Sequence, residues 1–95
     1  ILASGDLSHA IDSNAPAGYH KDGARFDAAV RQAVIQTAPS QLLSLDKTLV
    51  ANASECGYLP LLVLFGIIEQ SSSRSEVLSY EHPFGVGYLV AEFRL

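Results

Sequence analysis

From Tyr58 to Ile68 the chain runs through 11 residues without a charge, interrupted only by Pro60 and Gly66. A membrane-spanning helix needs about 20 apolar residues, so this run belongs inside a folded domain. Being apolar nearly all round, it predicts a helix buried on most sides. Pro60 is tolerated only near the first turn. The helix therefore begins just before it, capped by Asn52 or Ser54, with Glu55 and Cys56 at its mouth. The helix dipole favours a carboxylate there. Glu55 thus reads either as a first-turn capping group or as a site residue. Cys56 reads as a small buried hydrophobe or as a ligand.

The other segments predict the layers around this helix. Ile1-Leu2-Ala3 reads as the end of a buried strand, stopping in Ser4-Gly5-Asp6-Leu7-Ser8-His9. Residues 10–22 are rich in turn formers and predict a surface loop. Asp22 predicts the N-cap of a helix over Gly23–Thr37, with Phe26, Ala29, Val30, Ala33 and Val34 as its apolar stripe. Asp27 and Arg31 are spaced to pair at i, i+4 on the opposite face. Pro39 ends that helix. Ser40 caps a short helix over Gln41–Leu45, and Asp46 caps another over Lys47–Asn52. Gln70–Ser75 reads as a polar linker. Glu76–Glu81 predicts a strand with Leu78 and Tyr80 on one face, and Val86–Leu95 a second strand. The fold class is α/β, a mixed sheet flanked by helices.

A chain of 95 residues makes one small domain. Its net charge is -4 and its few basic residues are scattered, which argues against a nucleic-acid partner and against an anionic membrane surface. The single cysteine makes no internal disulfide. With no basic, cleavable leader at its start, the chain reads as cytoplasmic. It contains no methionine and opens on a strand-like apolar triplet, the expected look of one part of a larger domain.

A strand that ends in small and polar residues is how open α/β sheets build sites. Asp6, Ser8 and His9 place an acceptor, a hydroxyl and an imidazole on one short loop. His9 is the natural proton handler, because imidazole titrates near neutrality. A capped turn with a hydrogen-bonded histidine is the plainer alternative. Glu55 and Cys56, and the Tyr80–His82 stretch, add further donors. One carboxylate with two histidines suits non-haem Fe(II), but no H-x-x-x-H or C-x-x-C spacing is present.

Ala3 to His9, Ala15-Pro16-Ala17-Gly18-Tyr19, and Gly23 with Phe26-Asp27 resemble the C-terminal half of the catalytic B subunit of class III extradiol ring-cleavage dioxygenases. Ala53-Ser54-Glu55-Cys56-Gly57 and Tyr80-Glu81-His82-Pro83-Phe84-Gly85-Val86-Gly87-Tyr88 continue the likeness. The branch it most resembles is the one fused to AMMECR-type domains, related to Memo-like proteins.

The resemblance implies the C-terminal portion of that fold, with residues 1–95 forming a single partial domain. It implies Fe(II) as cofactor, Glu55 as the carboxylate ligand with Cys56 as the alternative, and His9 as the catalytic acid/base. Asp6 or Ser8 would orient His9. The family's two metal histidines match neither His20 nor His82, so they are expected outside this chain. The partners it implies are a small aromatic substrate of the catechol type, O2, the missing N-terminal half or a companion domain, and further copies in an oligomer. The isolated chain would then be inactive. A non-catalytic metal-binding or scaffolding module of the same fold is the alternative.

Overall fold

A computed structural model describes residues 2–68 and 74–94. Among them are four helices, α1 (Lys21–Ile35), α2 (Pro39–Leu43), α3 (Lys47–Ala53) and α4 (Tyr58–Ile68), and two strands, β1 (Arg74–Glu81) and β2 (Tyr88–Arg94). The strands pair antiparallel. The chain is α/β, as the pattern predicts. None of the described helices is long and apolar enough to cross a membrane. The Gln70–Ser75 linker falls largely outside the described residues, and Ser75 already belongs to β1.

α1 is the organising helix. Gly23, Phe26, Asp27, Val30, Ala33 and Val34 are its buried positions, one stripe at 3.6-residue spacing. Phe26, Val30 and Ala33 are fully enclosed. They pack with Leu7, Leu42, Ala53, Phe65 and Ile68 into one core. The stripe draws α2, α3 and β1 onto α1. Aromatic contacts close the seams: Phe26 tilts against Tyr58, and Phe65 meets Phe93 edge-on at 5.4 Å. The Tyr58 hydroxyl donates to the Leu42 carbonyl at 2.8 Å, tying α4 to α2.

Several sequence expectations are corrected. The cap of α1 is His20, whose Nδ1 accepts the Asp22 N–H at 3.0 Å. Asp22 instead sits in the first turn and accepts from Asn52. Pro39 opens α2 at its first turn, where its missing N–H costs nothing. α4 starts at Tyr58, so Glu55 and Cys56 lie before the helix. α4 is also less enclosed than its composition implies: Leu59, Val63 and Ile67 form an exposed i, i+4, i+8 row.

In β1 a bulge between Val77 and Ser79 breaks the alternation. Val77 and Tyr80 face inward, and Leu78 is exposed, because an extra residue flips the face of everything after it. Leu2–Leu7 is not assigned as a strand. It is held at single points, with Leu7 N–H donating to the Gly87 carbonyl and Cys56 N–H to the Asp6 carbonyl.

Candidate functional site

The Asp6–Ala10 loop is clamped from three directions. From α1, Asp27 Oδ1 accepts the Ser8 N–H at 2.8 Å. From the end of α3, the Ala53 carbonyl accepts the Ser8 hydroxyl at 2.6 Å, and the Ala53 and Ser54 carbonyls share the His9 N–H. From the approach to β2, Gly87 N–H donates to the Ser8 carbonyl at 2.9 Å. Ser8 Oγ also accepts the Ala10 N–H. Ser8 and Asp27 are the buried polar residues among those described, joined through the Ser8 backbone amide.

Glycines make this packing possible. A β-carbon on Gly87 would fall on Asp27 Oδ2, and one on Gly5 would come within 2.7 Å of the Cys56 carbonyl oxygen and of Gly57 Cα. The chain can cross at these points only without side chains.

The loop presents His9 beside Asp6, Nε2 to Oδ2 at 3.5 Å, with both groups part-exposed. Cys56 closes the group: its Sγ accepts the Asp6 N–H at 3.0 Å. One ligand atom from each of Asp6, His9 and Cys56 lies within 4.8 Å of the others. This oxygen, nitrogen and sulfur set suits a divalent transition metal. It also places Asp6 to orient the His9 ring.

Glu55 lies outside that trio. Its Oε2 accepts the N–H of Tyr58, the first residue of α4, at 2.7 Å. It also lines a groove of about 400 Å³ with Leu43, Leu45, Lys47, Val50, Ser54 and Tyr58. Glu55→Gln should weaken the cap and cost about 1 kcal/mol, read as a lower urea midpoint with an unchanged slope. His20 is occupied as the α1 cap. His82 is exposed and rests against the Tyr80 ring, 5.8 Å between centroids. Neither joins Asp6, His9 and Cys56 among the described residues.

Asp27 is the residue that sequence reasoning placed wrongly. It does not pair with Arg31 on the solvent face; it is buried and accepts from the Ser8 amide and the Tyr80 hydroxyl. Arg31 stacks over the Tyr80 ring instead, 4.5 Å from its centroid. A signal for this was present: position 27 falls three residues before Val30 and seven before Val34, on the apolar stripe.

Burial raises the Asp27 pKa above the ordinary carboxylate value of 3.8, against the lowering pull of the Tyr80 and Ser8 donors. Burial and the neighbouring Asp27 together raise the Tyr80 pKa. The folded state thus holds the Asp27 proton more tightly than the unfolded state. The stabilisation this gives is full below pH 3.8 and is lost as pH rises through the folded pKa. Asp27→Asn should remove that pH-dependent component, which urea midpoints of both proteins measured across the acid range would show.

The sequence matches the family described as the catalytic LigB subunit of aromatic ring-opening dioxygenase, over residues 1–91. The chain belongs to this family. Protein CA_C1420 of Clostridium acetobutylicum is 41% identical over 88 residues. That alignment takes in 93% of this chain and 19% of the relative, so the chain spans about a fifth of the relative's length.

Proposed function

We propose that this LigB-family chain contributes the proton-handling part of a non-haem Fe(II) extradiol dioxygenase site acting on a catechol-type aromatic with O2. The observation that carries the reading is the convergence of Asp6, His9 and Cys56 from two separate loops, within a chain of this family. Fe(II), when bound, would supply the point where the catecholate oxygens and O2 meet.

Within this chain, Glu55 would hold the metal, or Cys56 in its place. Cys56 Sγ already accepts the Asp6 N–H, which places the sulfur beside the His9 loop. His9 would take a phenolic proton at Nδ1 and return it later, with Asp6 Oδ2 orienting the ring through Nε2. The remaining histidine ligands would come from the rest of a longer polypeptide. The exposed Leu59, Val63 and Ile67 row on α4 is an apolar face that such a remainder would cover.

The test is anaerobic Fe(II) loading of the polypeptide in its natural length, followed by O2 uptake on adding a catechol. Catechol-dependent uptake supports the reading. Tight metal retention without uptake favours a non-catalytic metal-binding module. The soft sulfur donor of Cys56 and the engagement of Glu55 as a helix cap lend that second reading its weight.

A further inference from the structure

We propose that Asp27 is the positioning residue of His9, acting through the Ser8 peptide. The role of His9 itself rests on the reading above; the positioning rests on contacts within this chain. Asp27 Oδ1 holds the Ser8 N–H, and Gly87 N–H holds the Ser8 carbonyl. The peptide units on both sides of Ser8 are thereby fixed. The His9 N–H, bonded to the Ala53 and Ser54 carbonyls, completes the frame from which the imidazole projects toward Asp6.

Asp27 is a costly way to fill space. It is 1% exposed, and a buried carboxylate is seldom better for stability than an apolar side chain of similar volume. Three features are arranged to keep it: the Tyr80 hydroxyl donates to Oδ2, the Ser8 amide donates to Oδ1, and Gly87 leaves room for Oδ2. What this secures is one backbone geometry for the loop that carries His9. No atom of Asp27 needs to reach the reacting groups for that.

The experiment reads the His9 ring nitrogens by proton–nitrogen NMR in the metal-free full chain. His9 in the wild type should show one dominant tautomer, with the proton on Nε2 facing Asp6. Asp27→Ala removes the acceptor for the Ser8 amide and should abolish that signature, giving averaged ring signals. Asp27→Leu serves the same purpose should the alanine variant not fold. Asp27→Asn retains an acceptor and should restore the signature. Val30→Ala, one turn along the same buried stripe, is the control for a general loss of stability and should leave it intact.

The proposal is overturned if the wild type shows no preferred tautomer. It also fails if the acceptor-less variants keep the signature, if Val30→Ala loses it equally, or if Asp27→Asn fails to restore it. Because the readout needs neither metal nor turnover, its failure is separable from failure of the dioxygenase reading. The latter is judged by O2 uptake alone.

Discussion

Gly87→Ala should destabilise the fold by about 2–6 kcal/mol, because the new methyl lands on the Asp27 carboxylate. The neighbour cannot give way cheaply. Asp27 is held from both oxygens, by Ser8 and by Tyr80. Overpacking a well-filled interior costs about 1–3 kcal/mol. Expelling the carboxylate strands the Ser8 amide, which adds about 1–3 kcal/mol for an unmet buried donor. A natural domain has only about 5–15 kcal/mol in hand, so the variant would sit near its unfolding threshold. Urea unfolding followed by circular dichroism measures the loss. A double-mutant cycle identifies its cause: in an Asp27→Ala background the slot is vacant, and Gly87→Ala should then cost much less. Equal costs in both backgrounds would show that the methyl collides with something else.

His9→Ala should lower catechol-dependent O2 uptake by about 10²- to 10⁴-fold, the usual worth of a positioned acid/base group. The imidazole is part-exposed and its only side-chain partner among the described residues is Asp6. Truncating it therefore disturbs little packing, and the loss should appear in turnover while the urea midpoint stays near wild type. Asp6→Asn keeps the ring in place but removes the balancing charge, so its effect should be smaller than that of His9→Ala. Uptake that survives His9→Ala would remove His9 from the chemistry and leave the loop a structural one.

The parts of the fold set by local pattern were legible. The 3.6-residue stripe of Phe26, Val30, Ala33 and Val34 marked α1, and Asp46 marked the start of α3 as its cap. What was not legible depended on neighbours distant in sequence. Asp27 looked like half of a surface ion pair because its partners are Ser8, 19 residues away, and Tyr80, 53 residues away. Leu78 and Tyr80 do not share a face of β1 as their spacing suggests, because a bulge leaves no mark in a run such as Val77-Leu78-Ser79. The exposure of Leu59, Val63 and Ile67 could not be read either, since an apolar residue shows that burial is favourable and not which layer supplies it. Within the site, the proximity of His9 to Asp6 follows from their spacing. The arrival of Cys56 beside them is a product of the tertiary fold, made possible where Gly5 lets the two loops cross.

The most direct test of the central claim is turnover of a catechol by the Fe(II)-loaded polypeptide under 18O2, with the product analysed by mass spectrometry. The account predicts a ring opened beside the diol and carrying both labelled oxygen atoms, formed by the wild type and lost in His9→Ala. An unchanged catechol under saturating Fe(II) and O2, or a product carrying a single labelled atom, would contradict it.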